Sequence, residues 1–169
     1  MVKLSRKYVR DDLLSIFNAE RCRYMAAEII AIASDHAGVG FKESLKTMMS
    51  EAGRDVLDLG TNSPDSVDYP DFANVLTSAI GDGSAERGVL ICGTGIGMSI
   101  AANRKRFIRA ALCHSATDAR FARRHNDANV LILGARTLGI EIARDCLGAF
   151  LDTEFEGGRH QRRIDKMSC

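Results

Sequence analysis

Short apolar runs and longer mixed stretches alternate along this chain. Ile29 to Ile32, Asp55 to Leu59, Val89 to Ile91, Arg109 to Cys113 and Val130 to Leu133 are brief and rich in branched residues. They read as strands; the near-continuous apolar ones have the pattern of strands buried on both faces. Between them, apolar residues recur at helical spacing from about Phe41 to Glu51, from Tyr69 to about Ile80, from Met98 onward, from Ser115 to about Asn126 and from Gly139 to about Leu151. Gly53 and Gly81-Asp-Gly83 are breaks after the first two helices, and Ser115 with Asp118 forms a hydroxyl cap with early acid. A short terminal helix follows Gly157-Gly158. The alternation predicts a Rossmann-like three-layer α/β/α sandwich around a five-stranded parallel sheet.

In such a fold ligands gather at the carboxyl ends of the strands. The loops leaving those ends hold Asp35-His36, Thr61 to Asp68, Gly93 to Gly97, His114-Ser115 and Arg136. The third is the most telling: Cys92-Gly-Thr-Gly-Ile-Gly97 runs from a strand into a helix N-terminus. Glycine lets the main chain approach a ligand, and the first amides of a helix point free N–H groups at it, which favours a negative charge. A thiol at Cys92 would face the same ligand, and donors beside it favour the thiolate. The turn is not a Walker loop, because Gly-Lys-Ser/Thr is missing, and its G-x-G-x-G spacing makes a poor dinucleotide fingerprint. By itself Cys92 reads as a buried, inert core cysteine, the usual fate of a cysteine on a strand.

With 169 residues, 46% hydrophobic and 27% charged, the chain has the bulk of one ordinary globular domain. A net charge of +1 argues against a general nucleic-acid binder, and no apolar run approaches the ~20 residues of a membrane span. The five cysteines are odd in number and contain no C-x-x-C, so reduced thiols in a cytoplasm are expected, and no Cys/His cluster has zinc spacing. Residues 1–24 stand apart: six basic residues against three acidic make them +3 and leave −2 for the rest. Val9, Leu13, Leu14 and Phe17 fit a short amphipathic helix there, although a mitochondrial presequence would be poorer in acid. Residues 1–24 read as an upstream start or a loose arm, and 25–169 as a single domain.

Seven signatures occur in order: Ser34-Asp-His-Ala-Gly38, Asp68-Tyr-Pro-Asp71, Cys92-Gly-Thr-Gly-Ile-Gly97, Ala101-Ala-Asn103, Arg124-His-Asn-Asp127, Leu133-Gly-Ala-Arg136 and Glu156-Gly-Gly-Arg-His-Gln-Arg-Arg163. Together they resemble the ribose-5-phosphate isomerase B family, which includes the galactose-6-phosphate isomerase subunits. The likeness runs from about Ile29 to Lys166.

The resemblance implies an aldose–ketose isomerase that uses no metal or other cofactor and works through an enediolate. It implies interconversion of ribose 5-phosphate and ribulose 5-phosphate in the pentose phosphate pathway. Allose 6-phosphate, galactose 6-phosphate or a tetrulose phosphate would be the alternative substrates. Such chemistry needs one base for two carbons, an acid/base at the ring oxygen and fixed donors for the developing oxyanion. By resemblance Cys92 is the base, Thr94 orients it, and the amides of Gly93, Thr94, Gly95, Ile96 and Gly97 hold the enediolate. Met98 stands where one branch of the family has a glutamate, which places this chain with the cysteine type. His125 resembles the ring-opening acid/base, Asn126 a second oxyanion donor, Asp35 a contact to the sugar end and His36 a contact to the phosphate.

Arg136, Arg159 and Arg163 resemble a phosphate clamp, a task suited to paired guanidinium donors. The resemblance also implies a homodimer or tetramer with the site shared across the dimer interface, so that His125 and Arg136 serve a neighbour's Cys92. Plainer readings stand beside these. Asp35 would be a helix cap, His125 a helix C-terminal histidine bonded to carbonyls, and Arg159, Arg162 and Arg163 a solvated basic tail, with His160 at the surface. A sugar-phosphate-binding subunit without activity and a nucleotide- or flavin-binding module are the rivals from other classes.

Overall fold

A computed structural model describes residues 28–167. The basic segment 1–24, Cys22 and Cys169 lie outside the described residues. Five strands, β1 (Ile29–Ser34), β2 (Asp55–Asp58), β3 (Arg87–Cys92), β4 (Ala110–Leu112) and β5 (Val130–Gly134), form one sheet in the order β2-β1-β3-β5-β4. Every pairing is parallel. Six helices connect and cover them: α1 (Val39–Glu51), α2 (Tyr69–Gly81), α3 (Ile96–Ala102), α4 (Ala116–Asn126), α5 (Ile140–Leu151) and α6 (Arg159–Met167).

Alternation along the strands divides the core into two faces. Ile30, Ile32, Val89, Ile91, Leu131 and Leu133 point toward α1, α4 and α5, where they meet Leu45, Met49, Ala119, Leu147 and Phe150. Ala31, Ala33, Leu90, Cys92, Val130 and Ile132 point the other way, toward Ala73 and Leu76 of α2 and Met98 and Ala102 of α3. Burial on both faces is why the strands lack polar alternation. It also sets the direction of Cys92, which lies on the α2/α3 side of the sheet.

The expected elements form, with edges moved by a residue or two. Arg109 stands outside β4 because its amide is taken by Asn129 Oδ1 at 2.8 Å. An element that the pattern does not announce is a 3-10 turn, His36–Gly38, between β1 and α1. The chain turns outward to β2 after β1 and to the opposite side at β3, so the order reverses between β1 and β3. A crevice outside the carboxyl ends of those two strands is the usual place for a ligand in an open α/β sheet.

Candidate active site

Cys92 is the last residue of β3, 5% exposed, and the Gly95 amide donates to its Sγ at 3.1 Å. Gly95 is left-handed, with φ 79°, and a Cβ there would stand 2.4 Å from Leu112 Cδ1, so both conformation and space require glycine. Thr94 is expected to orient the sulfur; its Oγ1 accepts the Ile96 amide at 3.3 Å, and the amide of Gly95 is the donor that Sγ receives. The expected row of oxyanion donors is correspondingly shorter. Among the described residues nothing accepts from the amides of Gly93, Thr94 and Gly97, whereas those of Gly95 and Ile96 are already engaged.

Two neighbouring strand exits flank this loop. From β1, Asp35 donates its amide to Ile91 O at 3.1 Å, which ties it to the strand that carries Cys92. Its Oδ1 accepts the Ala37 amide at 2.9 Å, so the cap reading is correct for one carboxylate oxygen, and Oδ2 is left over. His36 follows, half-buried, with its Nδ1 accepting the Val67 amide at 3.2 Å. From β5, Arg136 is exposed, and its side chain lies along the glycine loop: a Cβ on Gly93 would stand 3.4 Å from Arg136 Cδ and 3.5 Å from Nε. The Arg136 and Ala135 amides, each at 2.8 Å, donate to Gly93 O and Cys92 O and lock the two loops together. Arg136 therefore belongs with the Cys92 of its own chain, which corrects the expectation that it serves a neighbour's.

His125 is elsewhere. The Cys92 register partner is Gly134, and β5 begins four residues earlier at Val130, about 13 Å down the sheet at 3.3 Å per residue. His125 precedes Val130, near the end of α4, so it lies at the opposite edge of the sheet from Cys92. There it stacks on Phe121, with centroids 4.8 Å apart, and on His160, at 4.3 Å. Glu156 Oε2 is 3.7 Å from Nε2 of both histidines, while Glu156 Oε1 accepts Arg124 Nε at 2.7 Å. His125 is thus held by rings and a carboxylate and not by helix carbonyls.

Arg159 and Arg163 share one face of α6, exposed, and neither forms an ion pair among the described residues. Asn126, exposed, closes α4 beside them. His160 is 5% exposed, which corrects its placement at the surface. Burial, and then the charges of His125, Arg159 and Arg163, hold its imidazole below the ordinary range.

The predicted residues therefore form two constellations. Asp35, His36, Cys92, the Gly93–Gly97 loop and Arg136 share the carboxyl edge. His125, Asn126, Arg159 and Arg163 share the opposite one. A cavity of about 410 Å³ at the β4 edge is lined by Asn103, Lys105, Arg106, Arg109, Asn126 and Met167 among others, and reaches neither Cys92 nor His125.

Sequence reasoning missed Tyr69, whose ring lies so close to Gly97 that a Cβ there would stand 2.6 Å from Cζ. It also missed Glu156 and His160 as partners of His125, and the wholly buried Lys42. Tyr69, Glu156 and His160 lie inside quoted signatures, and the Glu156–His160 spacing of four was a usable signal.

Comparison with known proteins gives the family and the fold. The Ribose/Galactose Isomerase family model matches residues 30–167. The ribose 5-phosphate isomerase structure from Thermotoga maritima superposes with a TM-score of 0.82 at 52% identity, covering 83% of this chain and 97% of that one. Ribose-5-phosphate isomerase B of Escherichia coli K12 is 42% identical over 83% of this chain and 94% of its own length. D-erythrulose-4-phosphate isomerase of Pectobacterium atrosepticum is 43% identical over 82% and 91%. This chain belongs to the Ribose/Galactose Isomerase family.

Proposed function

We propose that the protein interconverts D-ribose 5-phosphate and D-ribulose 5-phosphate through an enediolate, as a cytoplasmic homodimer or a tetramer built from such dimers. The observation that carries this reading is the division of the site. Cys92 with free amides and Arg136 stands at one edge, and His125 with Arg159 and Arg163 stands at the other. Neither half suffices, and two copies related by a two-fold axis would complete both sites at once.

In this arrangement the partner subunit's His125 takes the proton of the anomeric hydroxyl and returns one to the ring oxygen, which opens the sugar. Cys92 as thiolate removes the proton from C2 of the open aldose, and the electron pair moves toward the carbonyl oxygen to give the enediolate. The free amides of Gly93, Thr94 and Gly97, with the partner subunit's Asn126, hold the charge that builds there. As the proton on O2 passes to O1, Cys92 returns its own proton to C1, and the C2 carbonyl of the ketose forms. Asp35 Oδ2 accepts from a sugar hydroxyl. Arg136, His36 and the partner subunit's Arg159 and Arg163 bind the phosphate.

A tetrulose phosphate is a second reading, supported by the erythrulose-phosphate relative, whose 43% identity to this chain is within one percentage point of the 42% of the Escherichia coli ribose-phosphate one. Comparing kcat/KM across four-, five- and six-carbon phosphates tests the substrate, with the five-carbon sugar expected highest. Mixing inactive Cys92→Ala and His125→Ala chains tests the division. Heterodimers carry one intact site, so a 1:1 mixture should regain about a quarter of the wild-type rate under random exchange across a two-fold interface. No recovery after verified exchange overturns the shared site.

A further inference from the structure

His36 has a feature that the family comparison does not supply. Its Nδ1 accepts from the Val67 main chain at 3.2 Å. A backbone amide can only donate, so Nδ1 holds a lone pair, and the single ring proton is on Nε2. We infer that His36 works as a fixed Nε2–H donor and that the Val67 amide is the positioning group that sets this tautomer. A ring held this way gives a hydrogen bond to an oxygen of the ligand through Nε2 and cannot take up a proton at Nδ1 without breaking its tether.

The segment that carries Val67 is built to deliver that amide. Lys42, wholly buried on α1, donates to both oxygens of Asp58, at 2.6 and 2.7 Å, and to Asn62 Oδ1 at 2.7 Å. Asp58 Oδ1 also accepts the Gly60 amide at 3.0 Å. Gly60 O and the Thr61 amide bond in turn to Ser34 N and Ser34 O, at 2.6 and 2.8 Å, two residues before His36. Ser63 Oγ donates to Asp65 Oδ2 at 2.7 Å and folds the middle of the segment back. Beyond Val67 the chain enters α2, whose Tyr69 rests on Gly97 of the cysteine loop. The strap is thus pinned by a buried cation at one end and by the catalytic loop at the other, with the His36 tether between them.

That the oxygen receiving Nε2–H belongs to a sugar phosphate rests on the proposed function; the tautomer does not. The test uses the full chain labelled with ¹⁵N and read by two-bond ¹H–¹⁵N correlation of the imidazoles at pH ~8, above the ordinary imidazole range. His36→Gln identifies the signal by its disappearance. The expected result is the Nε2–H pattern, with scalar coupling from the Val67 amide nitrogen to Nδ1 across the hydrogen bond. An Nδ1–H pattern, or the averaged pattern of a free imidazole, overturns the inference.

Val67→Pro removes the donor. It should return the ring to averaging and raise KM about tenfold with kcat within about twofold, as expected for loss of one ligand hydrogen bond. Val67→Ala keeps the N–H and should keep the tautomer, and its loss there counts against the main-chain tether. The wild-type spectrum decides even if the proline variant does not fold. A locked tautomer in a protein inactive on ribose 5-phosphate would sink the substrate and leave this inference standing.

Discussion

The imidazoles of His125 and His160 stack almost parallel, with 4.3 Å between centroids and 6° between planes. His160 is buried, and that burial, followed by neighbouring positive charge, favours its neutral form. Two consequences follow. His160→Ala frees the ring of His125, and the rate on cyclic sugar should fall about tenfold, the scale of losing a positioning contact. Turnover of an open-chain substrate should fall much less. In addition, a depressed histidine contributes stability that is whole above its unfolded value, ~6.5, and is lost as pH falls through the lower folded value. Wild-type melting temperatures should decline below about pH 6.5, and the decline should be shallower in the variant. An identical slope would contradict the burial argument.

Among the three described cysteines, alkylation should single out one sulfur. Cys113 is pushed up to about 12 by burial, then by the nearby Cys146 and Asp118, and Cys146 to about 11 by burial and by Asp118 and Asp145. Both are therefore poor thiolate sources at neutral pH and slow to react with iodoacetamide. Loss of activity should therefore track carboxamidomethylation of Cys92 in the mass spectrum, with protection by substrate and unchanged sensitivity in Cys113→Ala. Cys92→Ala should lose at least about a thousandfold in kcat, the scale for removing an essential base or nucleophile. Inactivation that tracks Cys113 would remove Cys92 from its role.

The sheet was readable because burial on both faces leaves short apolar runs that only a covered strand explains, as in Val89 to Ile91. The carboxyl-edge half of the site was readable because glycine, at Gly95, is demanded by local backbone geometry. What the chain conceals is distance across the sheet. Arg136 and His125 are near neighbours in sequence, yet β5 lies between them and carries them to opposite edges. Motif order cannot report that separation, because a strand reverses nothing in sequence while it moves the chain the full depth of the sheet. Lys42 was invisible for a different reason. A lysine at helical spacing looks solvated until β2 and the segment after it supply Asp58 and Asn62.

Lys42 should prove structural at a measurable cost. Burial alone would raise the Asp58 carboxyl, but hydrogen bonds from Lys42, Lys46 and the Gly60 amide outweigh it and bring the group down to about 2. That lowering contributes about 2 kcal/mol, present above the unfolded value near 4 and lost as pH falls toward 2. Lys42→Met leaves Asn62 and part of Asp58 unpaired, and should cost about 3 kcal/mol and lower the melting temperature by roughly 8 °C. Acid titration of the melting temperature between pH 5 and 2, checked in both proteins, should show a steeper loss in the wild type. Equal slopes would mean that Lys46 alone holds Asp58.

Gly95→Ala is the sharpest probe of the sulfur's setting. The residue sits at φ 79°, and the added methyl meets Leu112 Cδ1 at 2.4 Å, Ile132 Cγ2 at 3.2 Å and the Leu133 carbonyl carbon at 3.4 Å. The contact with Leu133 is ordinary, but the left-handed φ is strained for any residue with a Cβ and the Leu112 methyl is too close, so the loop is expected to shift and take the Gly95 amide off Cys92 Sγ. Strain at a left-handed position costs about 1–3 kcal/mol, which a domain of this size can bear without unfolding. The expected outcome is a folded protein with kcat down about a hundredfold, the scale of one lost oxyanion or thiolate donor, and KM little changed. Alkylation of Cys92 should slow in the same variant, because its thiolate loses a donor. A folded variant with full kcat and full Cys92 reactivity would show that the 3.1 Å contact does not activate the sulfur.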